Sequence, residues 1–298
     1  MRRKRAFATT IACVLSACTA PVSPPPAAAP PAIPDAWIDA RTQQSRARLA
    51  ATPAGQLVDA AVEAHGGLHA WLAARAVRFE FDYRPVGDPK RRMHTESRVD
   101  IWNSVARQKE LGEDADAELG WNGRAAWITP NRDAFPSTAR FWATTPYYFF
   151  AMPFVAADPG VRYTQLEDAP LAGVTHHLVK LTYAEGTGDS PGDYYVLYLH
   201  PETHRLSALR YVVAYPGFFP QGGHTPEKLM VFHDQRAVQG LLVAHRYEVF
   251  AWDEAKGPGD KVTDVEVPRV VFGEHYDAAL FDPPTGADVS TEIEVKPR

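Results

Sequence analysis

The sequence predicts an α+β fold in which a curved antiparallel β-sheet, shaped as a half-open β-barrel, is covered on its concave face by helices. Three observations support this prediction. Helical patterns occupy residues 35–72, strand patterns separated by short turns fill most of the remainder, and a dense aromatic block at 141–154 interrupts the strands. Short turns between successive strands favour an antiparallel meander. A sheet with one apolar face needs another layer to bury that face.

Capping residues and apolar spacing predict the N-terminal helices. Asp35 is placed to cap a first helix, and Thr52 followed by Pro53 is typical of the start of a second. The glycine pair at 66–67 predicts the end of the second helix, and a short third helix follows at 68–72. The second helix has a one-sided apolar stripe that must be buried, formed by Leu57, Val58, Ala61 and Val62.

From residue 77 onward the apolar spacing changes to the period of a β-strand. Val77, Phe79 and Phe81 alternate with polar residues, which is typical of a strand with one buried and one wet face. An Asn-Gly pair at 122–123 predicts a hairpin turn between two short strands. The other predicted strands cover residues 97–111, 119–121, 125–128, 176–183, 194–199, 207–215, 228–235, 241–252 and 262–273.

The aromatic block is too dense for strand alternation, so we expect it to be helical or irregular. Its side chains have two interpretations. Either they line or gate an apolar ligand cavity, to which aromatic rings and methionine are suited, or they fill the concave face as a permanent core. Their size favours the core, because such rings would close a small half-barrel. The candidate lining residues are Phe141, Trp142, Tyr147, Tyr148, Phe149, Phe150, Met152 and Phe154.

The first seventeen residues have the pattern of a bacterial secretory signal peptide. Basic residues at 2–5 precede an apolar run at 6–16, whose helix would measure about 16 Å, too short for a hydrocarbon core of about 30 Å. Ala17 and Cys18 end a Leu-Ser-Ala-Cys segment that resembles the lipobox of bacterial lipoproteins. The resemblance implies cleavage after Ala17, diacylglycerol on the Cys18 sulfur, and acylation of the new amino group by a fatty acid such as palmitate.

After Cys18 the composition changes to a Pro/Ala-rich spacer. Half of the fourteen residues at 21–34 are proline, which favours polyproline II and a reach of roughly 40 Å. The chain from 35 to 298 has no second linker and no detectable repeat, so we interpret it as one globular domain. The predicted organisation is a signal peptide at 1–17, the lipidated cysteine and spacer at 18–34, and the single domain at 35–298.

Charge and cysteine content exclude several classes of protein. The chain has 31 lysines and arginines against 36 aspartates and glutamates, and removal of residues 1–17 takes away four of the basic residues. Such an acidic domain has no electrostatic footprint for nucleic acid, so acyl chains rather than charge must hold it at a membrane. Cys13 leaves with the signal peptide and Cys18 is acylated, so no thiol remains for a disulfide or a cysteine metal site.

Two patterns resemble catalytic or metal sites but lack the required chemistry. Residues 188–192 match G-x-S-x-G around Ser190, yet Pro191 has no amide hydrogen to stabilise an oxyanion, so we interpret the segment as a tight turn. His65 and His69 have the spacing of a helical ligand pair, but the glycines between them break the helix. We therefore expect no catalytic residue, no metal site and no cofactor.

Several segments resemble an uncharacterised family of bacterial envelope lipoproteins. They are residues 64–67 with Trp71, 147–154 with 158–161, 188–197, and 280–284. The family is similar in outline to LolA/LolB-type lipoprotein carriers, in which helices form a lid over the apolar cavity of a half-open antiparallel β-barrel. The resemblance covers about residues 53–285 and supplies no catalytic residues. It implies a LolA-like domain and, by analogy of fold, a carrier function.

We therefore expect a membrane-anchored envelope lipoprotein that binds an acyl chain or a lipoprotein and is not an enzyme. Its anchor is the lipid on Cys18, and its domain is expected in the periplasm. Thr19 favours the outer membrane, because an acidic residue at that position tends to signal inner-membrane retention in related lipoproteins. Two alternatives stay open: an envelope hydrolase or metal-dependent enzyme that uses Ser190 or histidines, and a scaffold or accessory lipoprotein.

Overall fold

The computed structural model describes residues 33–112 and 116–295. The helices are α1 (Asp35–Ala50), α2 (Pro53–Ala64), α3 (Leu68–Ala74), α4 (Ala139–Trp142) and α5 (Thr145–Phe150), with short 3-10 helices at Pro89–Arg91, Phe154–Ala157 and Ala278–Phe281. The strands are β1 (Ala76–Pro85), β2 (Met93–Asp100), β3 (Val105–Glu110), β4 (Glu118–Trp121), β5 (Ala126–Thr129), β6 (Val161–Leu171), β7 (Val174–Tyr183), β8 (Tyr194–Leu199), β9 (Leu206–Val212), β10 (Lys228–Val238), β11 (Leu241–Asp253), β12 (Gly257–Glu266), β13 (Val270–Phe272) and β14 (Asp288–Ser290). The predicted signal peptide, Ala17, Cys18 and the spacer as far as residue 32 lie outside the described residues.

The described strands form one large, curved, antiparallel sheet. Its order is β14-β5-β4-β3-β2-β1-β12-β11-β10-β9-β8-β7-β6. Strand β12 pairs with residues 82–85 of β1, and β13 pairs with residues 77–79 of the same strand. Because β14 and β6 lie at the two ends of this order, the sheet stays open and does not close into a barrel. The predicted antiparallel sheet is confirmed.

The first two helices begin and end much as their sequence predicts. Thr52 caps α2, and its Oγ1 accepts a hydrogen bond from the backbone N–H of Gly55 at 3.0 Å. A side chain at Gly55 would place Cβ 2.2 Å from the carbonyl oxygen of Leu49, so glycine permits the tight turn between α1 and α2. The prediction that Asp35 caps α1 is wrong, because the helix begins one residue earlier than expected. Pro34 takes the cap position, and Asp35 lies in the first turn, where its charge still favours the helix dipole.

Strand β1 illustrates how one face of the sheet enters the core. Phe79 and Phe81 are 1% and 3% exposed, respectively, and the ring of Phe79 stacks on that of Phe150 with centroids 4.4 Å apart. On the other face, Arg78 donates from Nη2 to the carboxylate of Glu274 at 2.8 Å. The predicted alternation of apolar and polar side chains in β1 is therefore confirmed.

The helices pack against different parts of the sheet. Helix α1 contacts both α2 and α3, α2 also contacts β6 and β7, and α4 contacts β4 and β5. The indole of Trp71 in α3 stacks on the ring of Phe154, with centroids 4.4 Å apart. Among the described residues, no helix combines the length and the apolar character that a bilayer span requires.

Two predicted strands are each divided in the structure. The strand expected at 97–111 is a hairpin of β2 and β3, because the Asp100 carboxylate accepts hydrogen bonds from the backbone N–H groups of Trp102 and Asn103 and fixes a turn there. Ser104 completes that turn with φ of 52°. The strand expected at 262–273 is divided into β12 and β13 around Pro268, which has no amide hydrogen for a ladder bond.

Strand β6 has no counterpart in the sequence prediction. It lies at an edge of the described sheet and pairs only with β7 on that path. No residue of β6 is fully buried, so its sequence shows no clear apolar alternation. Hydrophobic periodicity identifies strands that bury one face, and for this reason it did not reveal this one.

Candidate ligand-binding cavity

A cavity of about 530 Å³ is lined by residues of α4, α5, β7 and β8. Helix α5 supplies Tyr147, Tyr148 and Phe149, and the sheet supplies Tyr183 and Tyr195. The volume lies within the range of about 300–1,000 Å³ that is common for small-molecule sites. The cavity is therefore large enough to hold a ligand, and eight of its 23 lining residues are aromatic.

Aromatic contacts between α5 and the sheet fix the shape of this cavity. The ring centroids of Tyr148 and Tyr195 are 5.2 Å apart, and those of Phe149 and Tyr211 are 4.8 Å apart. The hydroxyls of Tyr148 and Tyr183 share a hydrogen bond. Burial raises the pKa of the Tyr148, Tyr183 and Tyr195 hydroxyls. These tyrosines are therefore neutral near pH 7, and their rings keep an electron-rich face.

The structure divides the eight aromatic-block residues that the sequence singles out. Those that line the cavity are Phe141, Tyr147, Tyr148 and Phe149. Those that are buried in the core are Trp142, Phe150, Met152 and Phe154, each at most 6% exposed. Three successive residues of α5 line the cavity, whereas three of the four core residues lie outside that helix. The two interpretations of the block thus apply to different halves of it.

An arginine–aspartate pair joins α4 to the turn at 188–192. Arg140 donates from Nε and Nη2 to the Asp189 carboxylate, with 2.8 Å between Nη2 and Oδ1. The guanidinium also lies 3.2 Å from the ring centre of Trp121. The remaining nitrogen, Nη1, is buried without a hydrogen-bond partner among the described residues. The charge of Arg140 is therefore already balanced by Asp189.

A second carboxyl group, that of Asp158, lines the cavity beside the 3-10 helix at Phe154–Ala157. Its Oδ1 lies 3.7 Å from Nη2 of Arg41. The side chain is 45% exposed, and because the residue lines the cavity we assign that surface to the cavity interior. Burial raises the pKa of Asp158 to about 6, although the charges of Arg41 and Arg48 favour the carboxylate.

Asp193 is the cavity carboxyl group for which the described residues provide no cationic partner. It precedes β8 directly, and it lines the cavity together with Tyr195. Its Oδ1 accepts a hydrogen bond from the backbone N–H of Ala214 at 2.6 Å. Burial raises the pKa of Asp193 to about 7, and the bond from Ala214 only partly opposes this rise. Near neutral pH the group is divided between its neutral and charged forms.

The serine and histidines considered as catalytic or metal-binding candidates have separate environments. Ser190 lines the cavity and lies in a turn, where its carbonyl oxygen accepts a hydrogen bond from the backbone N–H of Asp193. His65 is buried and its Nδ1 lies 2.8 Å from the carbonyl oxygen of Ala61, and burial lowers its pKa to about 4. His69 Nε2 lies 3.3 Å from the Asp39 carboxylate. The two histidines therefore have different partners.

The charged residues of the cavity were not identified by sequence reasoning. Arg41, Arg140, Asp158 and Asp193 belong to separate elements, and only the packing of those elements brings them to one cavity. One local signal was available. Asp193 stands two residues before Tyr195 at the start of an aromatic strand, so strand alternation assigns a carboxyl group to a buried face.

No protein-family model matches the chain, and no curated protein matches its sequence. A LolA superfamily protein from Nitrosomonas europaea has a similar structure, with a TM-score of 0.50 and 10% identity over 78% of this chain and 98% of that one. A putative outer membrane lipoprotein-sorting protein domain from Vibrio parahaemolyticus gives a TM-score of 0.44 and 9% identity over 70% and 90% of the two chains. A DUF1329 family protein from Desulfovibrio piger gives a TM-score of 0.42 and 11% identity over 77% of this chain and 97% of that one. The chain has a LolA-like fold, as the resemblance in its sequence implied.

Proposed function

We propose that the domain binds one acyl chain of a lipid or a lipoprotein. The supporting observation is the aromatic-walled cavity of about 530 Å³ between α5 and the sheet. Each methylene removed from water contributes about 0.8 kcal/mol, so a chain that enters such a cavity gains affinity along its length. The LolA-like fold is consistent with this proposal as an analogy of fold.

In this proposal α4 and α5 act as a lid over the concave face of the sheet. Gln108 of β3 supports the role of α4, because its Nε2 donates to the carbonyl oxygens of Trp142 and Ala143 at 2.8 and 2.9 Å. Phe149 of α5 packs against Tyr211 of β9. Polar bonds thus hold one part of the lid and ring contacts hold the other, so the two parts can respond differently to a ligand.

We also propose that the lipid on Cys18 and the proline-rich spacer hold the domain in the periplasm at the outer membrane. The support is the order of basic, apolar and small residues that ends at Cys18, together with the spacer that follows it. A spacer with a reach of roughly 40 Å would let the cavity meet lipids or proteins beyond the headgroup layer.

We propose a binding function without catalysis. Ser190 is followed by Pro191, which has no amide hydrogen for an oxyanion, and the neighbouring Asp189 is held by Arg140. An ester hydrolase that uses Ser190 is the alternative, since this side chain lines the cavity. Ester turnover by the purified protein that disappears in Ser190→Ala would establish the alternative.

A cavity-filling substitution tests acyl-chain binding. Val161 lines the cavity, whereas Val231 packs against a smaller apolar cluster that includes Leu178 and Leu229. We expect Val161→Trp to weaken binding of a fluorescent fatty-acid probe at least about tenfold, while Val231→Trp has little effect. The full-length chain is used with Cys18→Ser, so that its own anchor does not compete.

Two measurements test acyl-chain binding in these variants. Fluorescence titration gives the probe affinity, and mass spectrometry of gently purified protein detects copurified lipid. Saturable binding that is lost only in Val161→Trp supports the proposal. An unsaturable wild-type titration, or equal affinity in both variants, contradicts it.

A further inference from the structure

We propose that Asp193 and the surrounding Tyr148, Tyr183 and Tyr195 form a binding site for an ammonium group. The ligand of the cavity is then an amphiphile with an apolar chain and a positively charged amine or quaternary ammonium head. This inference rests on the proposed acyl-chain binding and names the head group that accompanies the chain.

The strand register brings the four side chains together. Strand β8 pairs with β7 so that Tyr195 lies opposite Leu181. The ladder ends at that pair, and Asp193, two residues before Tyr195, is close enough for its charge to help raise the pKa of the Tyr148, Tyr183 and Tyr195 hydroxyls. Tyr148 reaches the same place from α5, because its hydroxyl is hydrogen-bonded to that of Tyr183. Asp193 and all three tyrosines line the cavity.

The tyrosine rings are arranged as a corner rather than as a flat wall. The ring planes of Tyr183 and Tyr195 are 88° apart with centroids 6.3 Å apart, and Tyr148 and Tyr195 are tilted by 46°. Neutral aromatic rings attract a cation over their faces, and recognition of quaternary ammonium ligands commonly uses several rings at an angle. The carboxyl group of Asp193 adds the opposite charge to this corner.

The charge balance of the cavity favours a cation over an anion. Its charged lining residues are two arginines and three aspartates. Arg140 is bound to Asp189, and Arg41 faces Asp158 at 3.7 Å. Asp193 is left as the carboxyl group without a compensating charge in the described part of the chain, and its Oδ1 has a backbone donor only. An anionic head would add repulsion here, whereas an ammonium group would complete a pair.

Binding of a cation at this site is expected to increase with pH. The groups that face Asp193 are Tyr148 from α5, Tyr183 from β7 and Tyr195 from β8, and burial raises the pKa of each of these hydroxyls, so they stay neutral. Burial raises the pKa of Asp193 to about 7, and that of Asp158, which faces Arg41, to about 6. Between about pH 6 and 8 the charge that changes most is therefore that of Asp193.

Three amphiphiles with the same alkyl chain test the inference. Dodecyltrimethylammonium, dodecanol and dodecanoate are titrated below their micelle concentrations into the full-length chain with Cys18→Ser, by displacement of the fluorescent fatty-acid probe. We expect the ammonium compound to bind about tenfold more tightly than dodecanol at about pH 8, and this preference to shrink at about pH 6.

Asp193→Asn provides the decisive variant, because an amide oxygen still accepts the bond from Ala214. It should abolish the ammonium preference while dodecanol still binds saturably, which also shows that the cavity is intact. Asp88→Asn, with the same charge change at an exposed turn, should keep the preference. An ammonium preference that persists in Asp193→Asn, or the absence of this preference in the wild type, overturns the ammonium site but not the proposed acyl-chain binding. Failure of all three compounds to bind overturns the proposed acyl-chain binding as well.

Discussion

Two neighbouring regions of this molecule are built from the same aromatic block but differ in how they are filled. In one region Trp71, Phe79, Phe150 and Phe154 form close stacks, with centroids 4.4 Å apart in two of the pairs. In the other, the rings of α5 and β8 surround a cavity of about 530 Å³. The first region is a solid core, and the second leaves space for a ligand.

The chemical difference between the regions explains their roles. The filled region uses phenylalanine and tryptophan rings packed face to face, whereas the cavity uses tyrosines whose hydroxyls bond to one another, together with ion pairs. Ring packing stabilises the fold because it buries apolar surface and adds dispersion attraction. Polar groups around a cavity hold its walls apart, and they give a ligand something to recognise. The predictions below test whether the two regions differ in this way.

The largest effect is expected from Phe154→Ala in the filled region. Phe154 is fully buried and its ring is nearly parallel to Trp71, so truncation leaves a cavity among rigid neighbours. We expect a loss of about 3–5 kcal/mol in the free energy of unfolding, measured by urea denaturation. Phe149→Ala in the cavity wall is the matched comparison, and we expect about half that loss because one side of the ring already faces the cavity. Equal losses would contradict the distinction between the regions.

A second prediction concerns the polar support of the cavity side. Gln108 is fully buried, and it donates to two carbonyl oxygens at the end of α4 while accepting a bond from Thr95 Oγ1. Gln108→Leu leaves these groups unpaired, so we expect a loss of about 1–3 kcal/mol in the free energy of unfolding. Gln235→Leu, which removes one bond to Leu206, is the control and should cost less. The fatty-acid probe should also bind more weakly to Gln108→Leu, because α4 carries Phe141. An unchanged probe affinity would show that α4 does not shape the cavity.

A third prediction is a gain in the free energy of unfolding, because Asp193→Asn removes a charge that burial disfavours. Burial raises the pKa of Asp193 to about 7 in the folded protein, above the ordinary value of 3.8 for an unfolded aspartate. As pH rises through this window the unfolded chain loses its proton first, so the wild type loses stability. Asp193→Asn should therefore be more stable than the wild type at about pH 8, by about 1–2 kcal/mol after allowing for water in the cavity, and similar to it near pH 4.

Thermal melting across this pH range measures the effect of Asp193→Asn. Asp88→Asn is the matched control, since it makes the same substitution at an exposed position outside the cavity. A difference for Asp193→Asn that is constant from about pH 4 to 8 would mean that Asp193 does not titrate inside the cavity.

The elements that were predicted correctly are those that local chemistry determines. The cap at Thr52, the glycines after α2 and the alternation of β1 each act over a few residues, so the sequence contains the whole cause. Strand β6 and the turn at 101–104 were missed for opposite reasons. The first has no fully buried residue, and the second depends on one carboxylate that bonds to the chain just after it.

The candidate site was only half predictable. The aromatic block marked the right segment, but which of its rings face the cavity depends on the rotation of α5 against the sheet. Nothing local distinguishes Asp158 from an exposed acid, and the local signal for Asp193 is limited to its position two residues before Tyr195. The filled core and the cavity both take rings from the aromatic block, so the composition of that block does not separate them.

The smallest effect is expected from Tyr183→Phe, and it separates stability from affinity. This substitution breaks the hydroxyl bond to Tyr148 at a place where cavity water can replace it, so we expect a loss of about 0.5–1 kcal/mol in the free energy of unfolding. The same change makes the cavity wall more apolar, so dodecanol should bind as tightly as before or up to about threefold more tightly. Combining Tyr183→Phe with Tyr148→Phe in a double-mutant cycle isolates the bond, since either single variant already removes it. If the hydroxyl bond also shapes the cavity, Tyr183→Phe would lower both stability and dodecanol affinity. That outcome would place Tyr148 and Tyr183 with the filled core rather than with the ligand site.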